Sequence, residues 1–179
     1  LSIASRTRSL VLQGANAAVM AERARQRLGV YVSEEVASTA MNSEAPLALG
    51  GSNKRAAVLF SDLRGFTRYA ERLSPEALVE ELNAYLHEMV AEIRAEGGVV
   101  DKYIGDAIMA VFGIPSEHTD DAARAIRAAQ RMGVALRRHN ADRLARGLPP
   151  LAHGVGVHYG AMVAGNIGTA ERMQYTVIG

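Results

Sequence analysis

The stretch "VLFSDLRGFTRYA", Val58 to Ala70, places a carboxylate, Asp62, at the end of an apolar run. A second acid, Asp106, stands at the Gly-Asp step of "DKYIGDAIMAVFG". Two carboxylates brought to one end of a sheet repel unless something positive lies between them. A pair of divalent cations on oxygen ligands is the usual answer, with their remaining positions shared by water and phosphate. Behind Asp62, "LRGFT" joins a glycine and a hydroxyl in a loop that runs into a helix. Such a loop offers backbone N–H groups to phosphate oxygens. Each acid also has a plainer use: Asp62 can cap the turn, and Asp106 can complete a Gly-Asp turn. Spacing alone divides evenly between these readings, and the loop favours metal and phosphate.

The elements that must position these residues can be read from the pattern around them. "RAAVLF" is a short apolar run, hence a buried strand. Ser74-Pro75 opens a helix, with Ser as cap and Pro in the first turn. Leu78, Leu82, Tyr85, Leu86, Met89, Val90 and Ile93 form one apolar face, and Gly97-Gly98 ends the helix. "VVDKYIGDAIMAVFG" reads as strand, tight turn at Gly105-Asp106, strand. "HTDDAARAIRAAQRMGVALRRHNADRLARG" is a long helix with acids first and arginines late. "LAHGVGVHYGAMVAGNIG" reads as two strands around Gly160. The order gives an α+β fold, a ferredoxin-like βαββαβ palm with additions. In that topology the first strand and the hairpin are neighbours, so Asp62 and Asp106 share one edge of the sheet.

Residues 1–52 are expected to be a helical linker or signalling segment, since "NAAVMAERARQRLGVYVSEEVASTAM" favours helix and "NSEAPLALGGSN" is linker-like. Residues 53–179 are expected to be the catalytic domain. Composition narrows the classes further. The 179 residues carry a formal net charge of +1, which gives no reason to expect a nucleic-acid partner. No cysteine is present, so there is neither disulfide nor thiolate chemistry. No run of 18 apolar residues occurs, so nothing in this chain is expected to span a membrane; a cytoplasmic location is expected for the catalytic domain, with membrane attachment of the full-length protein left open. The chain begins at Leu1 and not Met, so a longer protein is expected. The sequence has no P-loop pattern and no G-x-S-x-G elbow. The five histidines show no zinc-like pairing, and His153 and His158 fall on opposite sides of a strand. The arginines of the long helix, Arg124 to Arg146, read as a solvated face, and Met89, Met109 and Met132 as core filler.

Taken together, "VLFSDLRGFT", "DKYIGDAIMAVFG", "GVGVHYGAMVAGNIG" and "RMQYTVIG" resemble the catalytic domain of class III adenylyl/guanylyl cyclases. "LGVYVSEEVASTAM" is similar to the segment that often precedes it in bacterial members. The resemblance implies that Asp62 and Asp106 hold two Mg²⁺ or Mn²⁺ ions per site, helped by the Leu63 backbone. It implies that Leu63, Arg64, Gly65, Phe66 and Thr67 contact a triphosphate, and that Lys102 and Thr176 read the base. The working unit it implies is a head-to-tail homodimer, metals from one subunit and base readers from the other, beneath an upstream sensory domain. A lysine ammonium only donates, which suits the adenine N1 acceptor. Thr176 can accept from the adenine amine, but its hydroxyl can also donate, so ATP is favoured mainly through Lys102.

The match has gaps. Family members continue past "VIG" with an Asn and an Arg that steady the reacting phosphate and ribose, so the domain is expected to be incomplete at its C-terminus. Arg172 is a further candidate for the triphosphate. The expected activity is an adenylate cyclase, forming 3′,5′-cyclic AMP and pyrophosphate by attack of the ribose 3′-hydroxyl on the α-phosphate. The alternatives are a guanylate cyclase, a diguanylate-forming relative, and a catalytically silent regulatory dimerisation module. Lys102 and the lack of a G-G-D-E-F turn weigh against the first two.

Overall fold

A computed structural model describes residues 48–179. The signalling-segment reading of residues 1–52 therefore lies almost wholly outside the described residues.

Strand β1 runs Gly50–Leu63. Its alternation puts Ala57, Leu59 and Leu63 into one core and Ala56 into another on the opposite face. The short helix α1, Phe66–Ala70, follows, and then α2, Pro75–Ala95. Ser74 Oγ accepts from the Ala77 N–H at 3.2 Å, the cap that the Ser-Pro pair foretells. At the other end Gly98 N–H donates to Ile93 O at 2.9 Å and Gly97 N–H to Arg94 O at 2.8 Å. These are the two bonds of a Schellman stop, and Gly97 takes the left-handed φ of 74° that the stop requires. Strands β2, Val99–Ile104, and β3, Ala107–Phe112, form the hairpin. Helix α3 spans Asp121–Ala145, and β4, His153–Gly168, and β5, Met173–Ile178, complete the order.

The sheet runs β2-β3-β1-β4-β5, antiparallel throughout. Its first four strands have the order of a ferredoxin-like palm, and α2 and α3 cover one face. Two features depart from the pattern-based reading. No turn occurs at Gly160: β4 is continuous, Gly160 pairs with Ala56, and the reversal comes later, at Thr169–Arg172. β1 also begins earlier than the linker-like composition suggests. Gly50 and Gly51 pair with Asn166 and Gly165, and a side chain at Gly165 would run into their backbone. The glycines there allow close strand contact instead of marking a loose segment.

The main core gathers Leu59, Tyr85, Met89, Ile93, Ile108, Phe112 and Met132 between sheet and helices. A smaller cluster on the far face joins Ala56, Val111 and Met162 with Tyr175 and Val177 of β5. β5 therefore folds back over that face, and the sheet curls. The arginines of α3 divide. Arg127, Arg131 and Arg138 pair on the surface with Glu92, Glu96 and Asp120, as a solvated face should. Arg143 does not: it is 1% exposed, which corrects the all-solvated reading. Its guanidinium pairs with Glu81 and also donates to Tyr69 Oη and Pro149 O.

His139 on α3 gives a stability prediction. Its Nε2 is buried without a partner, and burial holds its pKa below the ordinary value of about 6.5. Glu88 and Asp142 oppose that shift and Arg146 adds to it. The unfolded chain therefore takes up this proton first, and stability falls as pH drops below about 6.5. Urea midpoints at pH 7.5 and pH 5.5 should differ less in His139→Gln than in the parent.

Candidate active site

The last β1–β3 pair is Ser61↔Ile108. Asp62 lies one residue beyond it, and Asp106 occupies the hairpin turn just before β3. The topology thus brings both acids to one end of adjacent strands. Tyr85 of α2 registers them together. Burial pushes its phenol up to about 12, the Ser61 hydrogen bond opposes the rise, and the charges of Asp106 and Asp62 add to it. Its hydroxyl is hydrogen-bonded to Ser61 Oγ and His153 Nδ1, each at 3.1 Å. A hydrogen-bonded chain of buried Ser61 and Tyr85 and half-buried His153 therefore lies next to the acids. Sequence reading places Tyr85 only on an apolar face; a phenol within such a stripe is the signal that marks it.

Neither Asp62 nor Asp106 forms an ion pair with Lys, Arg or His among the described residues. No cluster of three or more His, Asp or Glu side chains with metal-holding geometry occurs among them either. Carboxylate and carbonyl oxygens such as those of Asp62, Asp106 and Leu63 are the donors that hard divalent cations take.

Gly65 has φ 69° and stands in open space at the start of α1. The first N–H groups of α1 receive no side-chain cap. Leu63 and Phe66 are buried and anchor the loop, while Arg64, Gly65 and Thr67 are exposed. The Arg64 N–H is committed, donating to Ala152 O at 2.7 Å. Its guanidinium lies over Gly154, in the space that a side chain at that position would have to share. Gly154 and Gly156 pair with Asp62 and Phe60, and above Gly156 the space is empty. Open space therefore lies over Gly156 beside Phe60, which is 46% exposed, while the Arg64 guanidinium covers Gly154 next to Asp62.

Lys102 pairs with Met109, and Met109 with Phe60, so Lys102 shares the face that carries Asp62. Thr176 sits on β5, at the opposite edge in strand order. The curl of the sheet nonetheless brings it to β2, where Thr176 Oγ1 donates to Asp101 Oδ2 at 2.8 Å. Lys102 Nζ is 3.2 Å from the same oxygen. The two base-reading candidates thus meet at Asp101, a residue that sequence reading passed over. Arg172 is exposed in the β4–β5 turn. Within one chain it lies at the far end of β4 from Gly154, so it is not brought to Asp62.

Comparison with known proteins agrees with this architecture. The adenylate and guanylate cyclase catalytic domain profile matches residues 51–179. The structure is similar to the guanylyl cyclase Cya2, at 42% identity and a TM-score of 0.69 over 73% of this chain and 66% of that one. It is also similar to the adenylyl cyclase CyaB from P. aeruginosa, at 38% identity and 0.70 over 73% and 68%. An uncharacterized protein of Mycobacterium tuberculosis, Rv1319c, is 38% identical over 88% of this chain but only 28% of its own length. The chain therefore spans little more than a quarter of that relative. Topology, profile and structural likeness agree: the chain belongs to the adenylate and guanylate cyclase catalytic-domain family.

Proposed function

We propose that this chain is the catalytic domain of an adenylate cyclase, converting ATP to 3′,5′-cyclic AMP and pyrophosphate in a head-to-tail homodimer. The observation that carries the choice of ATP is the meeting of Lys102 and Thr176 at Asp101. An ammonium donates to the adenine N1, whereas the guanine N1–H would face it donor to donor. The similarity to Cya2 favours a guanylyl reading, and Lys102 weighs against it.

In the reaction the ribose 3′-oxygen bonds to the α-phosphorus, and the bond from that phosphorus to the β-bridging oxygen breaks. Pyrophosphate leaves and the hydroxyl proton passes to water. Asp62, Asp106 and the Leu63 carbonyl are the residues that would hold two Mg²⁺ or Mn²⁺ ions, which when bound supply charge against the triphosphate and acidify a hydroxyl. The loop Leu63–Thr67 orients the triphosphate through the N–H groups that α1 leaves uncapped, with the Arg64 guanidinium beside it. Arg172 is kept as a triphosphate contact contributed across the dimer. Positioning and preorganised charge do most of the catalysis, as in phosphoryl transfer generally. The residues that precede β1 would be a signalling segment below a sensory domain, and the reaction would run in the cytoplasm.

Turnover of ATP and GTP by the full-length protein with Mn²⁺ tests the reading, and ATP should have the higher kcat/KM. Lys102→Glu should move the GTP-to-ATP ratio of kcat/KM upward by about 10- to 100-fold, the scale of one hydrogen-bonding contact. Product from neither nucleotide would overturn the enzyme reading and leave a regulatory dimerisation module. An unchanged ratio would remove Lys102 from base reading.

A further inference from the structure

We propose that Asp101 is a specificity-positioning residue: it fixes the Thr176 hydroxyl as an obligate acceptor and so makes the base pocket select an exocyclic amine. The inference rests on the adenylate cyclase reading above and names a residue that decides between its two nucleotides.

The argument begins with proton count. A threonine hydroxyl has one hydrogen and two lone pairs, so a free one can meet an amine or a carbonyl equally well. A carboxylate only accepts. Thr176 must therefore spend its single hydrogen on Asp101 Oδ2, 2.8 Å away, and only its lone pairs remain for a base. Adenine presents an amine at C6 and satisfies them. Guanine presents a carbonyl oxygen there, and two acceptors face each other in a site where Thr176 is 7% exposed. A buried acceptor without a donor is the expensive case, more so than a merely absent bond.

The same carboxylate holds Lys102, whose Nζ is 3.2 Å from Oδ2. The Asp101 side chain is only 5% exposed and that of Lys102 29%, so water competes weakly for the acid and the ammonium keeps an open side. One oxygen thus sets both readers, and both settings favour adenine.

The backbone shows how Asp101 reaches this place. The β2–β3 register shifts between Val100 and Lys102, which makes Asp101 the extra residue of a bulge. Bulges re-aim a side chain out of strict alternation. Here the effect is to let consecutive residues, Asp101 and Lys102, serve one pocket. The curl of the sheet then delivers Thr176 from the opposite edge strand.

The test is the ATP-to-GTP ratio of kcat/KM in the full-length protein, which a merely structural role would not move. Asp101→Ala should lower that ratio by about tenfold or more, largely through better use of GTP. In a Thr176→Val background no hydroxyl remains to be oriented, so the same substitution should shift the ratio clearly less. Thermal melts establish which variants fold. If Asp101→Ala does not fold, Asp101→Asn keeps the volume: its Oδ1 can still accept the Thr176 hydrogen while its Nδ2 can instead donate and free that hydrogen, so part of the bias survives and the shift should be smaller and of the same sign. An unchanged ratio in the folded variant, or equal shifts in the two backgrounds, overturns the assignment. Loss of cyclic AMP formation by the parent protein would instead overturn the adenylate cyclase reading itself.

Discussion

In the full-length protein, Asp62→Asn and Asp106→Asn should each lower cyclic nucleotide formation by at least about 100-fold, the scale of removing one preorganised charge. The expectation follows from placement. Both acids sit at one end of adjacent strands, neither has a cationic protein partner among the described residues, and both are felt by Tyr85. The fold should persist, because Asp62 is exposed and Asp106 occupies a turn outside the core. Circular dichroism and a melt on the same preparations separate loss of chemistry from loss of structure. Substantial turnover by either variant in excess Mn²⁺ would sink the two-ion site. The homodimer can be examined with the same material. A mixture of Asp62→Asn and Lys102→Ala proteins contains heterodimers in which one head-to-tail site has both halves intact, so activity should exceed that of either alone.

A second large effect is expected far from the chemistry. Arg143→Met should destabilise the domain by about 3 kcal/mol or more, because it leaves Glu81 as a buried carboxylate with a weakened partner set. The guanidinium pairs with Glu81, donates to Tyr69 Oη at 3.0 Å and to Pro149 O at 2.9 Å, and lies 5.4 Å from the Tyr69 ring centre. Arg146, 3.4 Å from Glu81, offsets part of the loss, which puts the expectation at the lower end of the range. Replacing Glu81 by Leu in the same protein should restore much of the stability, since removing both buried charges is far milder than removing one. Urea denaturation measures both. A single variant as stable as the parent would show that Arg143 is spare packing. Tyr69 belongs to α1, so the same substitution should also loosen the loop that α1 anchors.

The palm was legible because its signals are local. Ser74-Pro75, the Gly97-Gly98 stop and the Gly105-Asp106 turn each follow from the chemistry of the residues at that point. Asp62 and Asp106 were legible as a pair because the topology makes their strands neighbours. What stayed hidden depends on long-range shape. Gly160 looks like a turn residue, yet it lies mid-strand opposite Ala56. Gly50 and Gly51 look like linker, yet they are strand residues pressed against Gly165. Asp101 carries no spacing that ties it to Thr176, and only the curl of the sheet joins them. Arg143 sits among solvated arginines in sequence, and its burial is decided by Glu81 and Tyr69 on other helices.

The ladder between β1 and β4 has a kinetic consequence. Its closest pair in sequence, Leu63↔His153, is 90 positions apart, and its most distant, Gly50↔Asn166, is 116. Two chain segments so remote must find each other before any of their hydrogen bonds can form, and topologies dominated by such contacts fold over about milliseconds to seconds. Local units such as the β2–β3 hairpin face no such search. β4 brings little intrinsic strand preference to the encounter, since Gly154, Gly156, Gly160 and Gly165 all lie within it. The glycines that admit the Arg64 guanidinium over Gly154 and leave Gly156 open therefore also slow the arrival of their own strand. Until β4 docks, "AAVLF" of β1 remains a bare apolar edge, the window in which the nascent domain is most exposed to aggregation.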